Sequence, residues 1–237
     1  MSEPTTAEIP TEPALAEDML LLMFDPRTGT IAGEGTNLFH TLAGAVLVEL
    51  AFQGRIDIDE PSLLKGSVVR VVEDAPPADP LLQGIWDRVA RKPVDVHSLI
   101  LERGPYLRAP VLDRVVERGH IAQEKRRMLG LFNTTALVDG GTSRRAELLG
   151  PVRAALVDGV DPDSRTAALA ALLAGSGSLP ALYKDIPWSG AVYTRGRELQ
   201  RGDWGAEAVG ESVRRTMVGL IATNLFVTGF VANTAGN

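Results

Sequence analysis

The run from Leu38 to Phe52 is apolar or small on nearly every helical face, with Thr41, Ala45, Glu49 and Gln53 as its single polar or small stripe. A helix that is hydrophobic all round has to be enclosed by other elements. This segment therefore predicts a fold built around a central, mostly buried helix. It is too short to span a bilayer, which takes roughly 20 apolar residues, and no other run in the chain is long enough. Gly54 suits the end of this helix, and Thr36 or Asn37 suits its N-cap. The chain has 237 residues, 45% of them hydrophobic, which is enough for one domain to surround such a helix.

The rest of the chain reads as helices with inserted β-hairpins. Residues 1–13 carry three Pro and three Glu and read as a flexible tail. Ala14 to Phe24 is a first helix, too apolar for an exposed face, closed by a turn at Asp25-Pro26 and Gly29. Alternation at 55–59 and in part of 67–72, around a Pro61–Gly66 turn, predicts an antiparallel hairpin. Helices are predicted from Asp79 to Arg91, from Pro93 to Glu102, and to Arg118 after a break at Gly104-Pro105. Arg126 to Phe132 and Ala136 to Val138, flanking Asn133-Thr134-Thr135, predict a second hairpin. Helices follow at about 142–158, 162–174, 188–201 and 205–222, with Glu211 one turn from Arg215. The fold class is mainly α: a single globular multi-helix domain over residues 14–222, with a loose tail at 223–237.

Most kinds of chemistry find no support. There is no Cys, and His40, His97 and His120 stand apart with no metal-ligand spacing, so the sequence predicts no metal and no cofactor. Nucleophile-elbow, phosphate-loop and dinucleotide motifs are absent, and no residue is singled out as catalytic. Asp57 and Asp59 share one strand face but read as solvated hairpin carboxylates. The N-terminus lacks the pattern of a signal peptide, so a cytoplasmic location is expected.

Charge is the feature that remains. Residues 1–80 hold 4 basic and 14 acidic side chains, a net −10, and residues 103–153 hold 10 basic and 5 acidic, a net +5. Only four of the 24 basic residues are Lys. The guanidinium fork of Arg matches phosphate oxygens, although codon bias in a GC-rich genome gives the same composition. Arg103, Arg108, Arg114, Arg118, Lys125, Arg126 and Arg127 crowd a helix and a hairpin edge, with Arg114 and Arg118 on one helical face. A winged-helix-like grip on nucleic acid and a grip on anionic lipid headgroups are both open at this point. The net charge of −6 argues against nucleic acid.

Leu42-Ala43-Gly44-Ala45-Val46-Leu47-Val48-Glu49-Leu50-Ala51-Phe52-Gln53-Gly54-Arg55-Ile56 resembles the signature helix of the Golgi phosphoprotein 3 family. Val115-Val116-Glu117-Arg118-Gly119-His120-Ile121, Glu124-Lys125 and Leu129-Gly130-Leu131-Phe132 resemble its second signature. Glu17-Asp18-Met19-Leu20-Leu21-Leu22 and Asp74-Ala75-Pro76 fit as well. The resemblance implies a mostly helical, non-enzymatic, peripheral membrane protein that binds phosphatidylinositol-4-phosphate on a cytoplasmic membrane face. The family's headgroup pocket falls on Glu34, Ala43, Pro105 and Arg108, and only Arg108 matches. Arg-rich composition fits a bacterial-type member, where no Golgi exists. Arg108 and Arg103 are thus the expected headgroup-binding residues, Arg108 being open to pairing with a carboxylate such as Glu102 instead. Arg126, Arg127, Leu129, Leu131 and Phe132 are the expected membrane or homo-oligomer contact. The alternative is a protein-interaction adaptor of the same fold, with protein clients and no lipid.

Overall fold

A computed structural model of the chain describes residues 10, 12–59, 66–72, 75–128, 132–202 and 211–222. Residues 1–9, 11, 60–65, 73–74, 129–131, 203–210 and 223–237 lie outside the described residues, and with them Asp74 and the start of the helix expected at 205. What is described is mainly α-helical with short antiparallel strand pairs, as the sequence predicts.

Two central helices, rather than one, organise the core. Helix α1 (Leu15–Met23) is buried at all nine positions, and α2 (Leu38–Phe52) lies against it, buried at eleven. Its enclosed N-terminus is held by carboxylates: Ala14 N–H donates to Glu17 at 3.0 Å and Leu15 N–H to Glu49 at 2.9 Å. These acidic groups satisfy otherwise orphaned donors and oppose the positive end of the helix dipole. At the end of α2, Gly54 takes a left-handed φ of 67° that a side chain would disfavour. The expected side-chain cap at its start does not form. Thr36 turns back to Gly33 O at 3.1 Å, and Asn37 donates to Ser176 O at 3.1 Å. The Asn37 side chain thereby ties the loop to a distant turn, while Leu38 N–H donates to Gly33 O at 2.9 Å and Thr41 Oγ1 to Asn37 O at 3.0 Å.

Helices α3 (Pro80–Arg91), α4 (Val96–Arg103), α5 (Arg108–Glu117), α6 (Arg144–Arg153), α7 (Ser164–Gly175), α8 (Gly190–Gln200) and α9 (Glu211–Ala222) surround this pair. Asp79, Asp95, Asp163 and Ser189 cap α3, α4, α7 and α8 through side-chain oxygens. The Ala-rich α7 packs into the interior beside α1 and α2. Arg215 of α9 reaches Asp57 at 3.0 Å.

The strands depart from expectation in three places. Strands β1 (Phe24–Asp25) and β2 (Thr30–Ile31) turn the loop after α1 into a minimal hairpin. The predicted pair β3 (Ile56–Ile58) and β4 (Val68–Val71) forms in the register Ile56↔Val71. It gains a third strand, β5 (Val94–Asp95), where the sequence suggested the opening of a helix, so α4 starts at Val96. Strands β6 (Ile121–Met128) and β7 (Phe132–Asp139) make the long hairpin. Asn133-Thr134-Thr135 lies inside β7 and is not its turn, in keeping with the β-propensity of Thr.

Candidate functional site

The expected headgroup residues lie where α4 gives way to α5. Gly104 presses against α2 so closely that a Cβ there would sit 2.9 Å from Phe39 O. A single 3₁₀ turn, Gly104–Tyr106, then redirects the chain and starts α5 at Arg108. The Arg108 side chain crosses to the loop before α2, where its Nε donates to Glu34 Oε1 at 2.6 Å. The two side chains remain 41% and 40% exposed. The structure thus brings together two of the four pocket positions, 74 residues apart. Of the others, Ala43 is fully buried in α2 and Pro105 is exposed in the turn.

Glu102 is not the partner of Arg108. It accepts from Arg88 Nε at 2.8 Å, and Arg103 Nε lies 3.4 Å from its other oxygen. Arg103 Nε is buried and makes no hydrogen bond. Arg103 and Arg108 therefore flank one turn, with Arg108 the more exposed of the two.

Arg114 and Arg118 face inward, contrary to the reading of the central segment as one outward basic surface. Arg114 grips Asp79 with two bonds of 2.9 and 2.5 Å and lies 3.5 Å from Glu17. Burial disfavours its charge, but the Asp79 hydrogen bond and the charges of Asp79 and Glu17 outweigh that, leaving its pKa raised. Arg118 Nε donates to Glu17 at 2.6 Å, and its Nη2 donates to Pro10 O at 2.6 Å. A phosphate grip of the winged-helix kind loses two of its residues to the interior.

A second internal cluster was not visible in sequence. Asp18, only 1% exposed, accepts from Arg144 at 2.8 Å and from Arg165 at 2.9 Å. Arg165 also bridges to Glu49 at 3.2 Å. Glu17 and Asp18 thereby bind α1 to α5, α6 and α7, and much of the Arg excess serves the fold. The contacts join residues 126 and 147 apart, which no local spacing signals.

Of the expected hairpin contact, Leu129 and Leu131 lie outside the described residues. Arg126, Arg127 and Phe132 are placed only by backbone register, opposite Thr134, Asn133 and Met128. The preceding exposed residues Glu124 and Lys125 pair with Ala136 and Thr135.

His40 lies near His97. Both ring nitrogens of His40 are buried without a hydrogen-bond partner, and burial, then the nearby His97, holds its pKa below the ordinary value. His120 Nδ1 sits 2.8 Å from Thr142 Oγ1, and burial, then Arg144 and Arg118, lowers its pKa. Among the described residues no group of three or more His, Asp or Glu is placed to hold a metal ion. Asp57 and Asp59 pair with Arg215 and Arg70 respectively. The site can therefore bind an anion through a half-exposed guanidinium at a helix start, in competition with one carboxylate.

Among the described residues, no helix is long and apolar enough to cross a membrane. The family model described as Golgi phosphoprotein 3 (GPP34) matches residues 15–216. No curated protein matches the chain.

Proposed function

The chain belongs to the Golgi phosphoprotein 3 family, and from that premise we propose that it is a non-enzymatic peripheral membrane protein that binds anionic lipid headgroups. Arg108 is the principal contact, and Arg103 lies beside it. The observation that carries the reading is the position of Arg108. It is half exposed at the first residue of α5 and reaches the loop before α2, a helix with no side-chain cap. The dipole at a helix start favours an anion and adds to the charge of the guanidinium. The family's ligand, phosphatidylinositol-4-phosphate, is the headgroup of first choice. Ala43 and Pro105 supply no charge, so a single phosphate group suffices for the contact proposed.

A phosphate–Arg contact is worth about 1.5–3 kcal/mol. Arg108→Glu should therefore reduce flotation with anionic vesicles by roughly tenfold or more. Equal flotation of the two folded proteins would overturn the assignment. One observation favours the second reading, an adaptor of the same fold without lipid binding: Glu34 already neutralises Arg108. Wild type that ignores vesicles of every headgroup would select it.

A further inference from the structure

We propose that Tyr183, Trp188 and Tyr193 form an aromatic anchor that seats in the headgroup region of an anionic bilayer. The proposal deepens the peripheral-membrane reading and rests on it. These three side chains are 58%, 39% and 53% exposed, an unusual disposition for such large rings in a chain with only three Trp and three Tyr. They share one short stretch from the end of the 3₁₀ turn Leu179–Leu182 into α8. The Trp188 and Tyr193 rings meet edge to face at 6.2 Å, and Lys184 Nζ lies 6.0 Å from the centre of the Tyr183 ring.

The exposure follows from how the segment is fastened. Leu179, Leu182 and Ile186 point into the core, which leaves the intervening aromatic positions outside. Asp185 is held by Arg145 at 2.6 Å and by Arg27 at 3.3 Å, and Ser189 caps α8. The rings are thus presented by a braced segment.

The choice of occupant rests on chemistry and charge. Tyr and Trp combine an apolar body with a polar tip, which suits the boundary between water and acyl chains. Residues 183–201 carry Lys184, Arg195, Arg197 and Arg201 against Asp185 and Glu198; with Arg195 paired to Asp161 and Glu198, the excess rests on Lys184, Arg197 and Arg201. Anionic lipid complements that excess, and apolar contact together with basic charge is the usual pair of signals for surface binding. The stretch connects to the headgroup site only through its neighbours: Asp185 pairs with Arg27 of the β1–β2 turn, and Ser176 and Ser178, just before the 3₁₀ turn, meet Asn37 and Gly33 of the loop that carries Glu34, the partner of Arg108.

The test uses the full chain with vesicles of phosphatidylcholine carrying brominated acyl chains, phosphatidylserine and phosphatidylinositol-4-phosphate. Trp188 fluorescence should shift to the blue and be quenched, and Trp188→Phe should lose that component. Trp86 is buried and remains an internal reference. The triple variant Tyr183→Ser, Trp188→Ser, Tyr193→Ser should partition about tenfold more weakly with unchanged circular dichroism. Wild type that floats while Trp188 stays unquenched and the triple variant floats equally would overturn the anchor and leave the headgroup reading standing. Wild type that does not float at all would overturn both. A wild-type dimer, in sedimentation without lipid, that the triple variant abolishes would make a second copy the occupant and overturn the proposal.

Discussion

Replacing Glu34 by Gln should strengthen binding to anionic lipid, because Glu34 occupies the place a phosphate would take. The ion pair it makes with Arg108 is about 40% exposed on both sides. Such a pair contributes at most about 1 kcal/mol, since solvent screens it. A headgroup that reaches Arg108 has to displace that partner and then sit near its negative charge. Two like charges about 4 Å apart in water cost about 1 kcal/mol. Together these terms predict a gain of about 1–2 kcal/mol for Glu34→Gln, or roughly 5- to 30-fold in vesicle affinity. Stability should fall by no more than about 1 kcal/mol, the value of the exposed pair itself. The assay is a vesicle titration of wild type and Glu34→Gln at low and high salt, with denaturant melts beside it. The gain should shrink as salt screens the charges and should vanish when Arg108→Ala is added. Equal affinity of wild type and Glu34→Gln would refute the reasoning. So would a gain that persists without Arg108.

Asp18→Asn should cost about 2–4 kcal/mol in a urea melt. It leaves Arg144 and Arg165 without a shared buried carboxylate, and part of the usual penalty is relieved because Arg165 keeps Glu49. A loss under about 0.5 kcal/mol would demote the cluster to a surface feature. Leu47→Ala, at a fully buried position of α2, should cost about 2–5 kcal/mol, and an unchanged denaturation midpoint would remove α2 from the core. His40 has a lowered pKa in the folded chain, so the folded state binds fewer protons than the unfolded one. Its contribution is present in full above the ordinary value near 6.5 and is lost as pH falls through the interval below it. His40→Phe should therefore lose less stability than wild type between about pH 7.5 and about pH 5.5, and identical pH profiles would contradict this.

Where local pattern governs the backbone, the sequence was enough. The all-round apolar run over Leu38–Phe52 had to become an enclosed helix, and the period-two pattern around Ile56 and Val69 had to pair. Asp79 marked a helix start that the structure keeps. The family was legible as well, because its signatures are contiguous segments. Three things were not. The strand Val94–Asp95 exists only because β4 offers an open edge, so neither its residues nor its length announced it. Asn133–Thr135 reads as a turn by composition, yet pairing with Lys125–Arg127 draws it into β7. Above all, the fate of each Arg was hidden. The spacing of Arg108, Arg114 and Arg118 along the chain is the same for a lipid-facing row as for a set of internal braces. Which of them stays available depends on where Glu17, Glu34 and Asp79 arrive when α1, α3 and the loop before α2 dock. Hydrophobic periodicity is a property of neighbouring residues, whereas the partner of a charge is fixed by packing between distant ones.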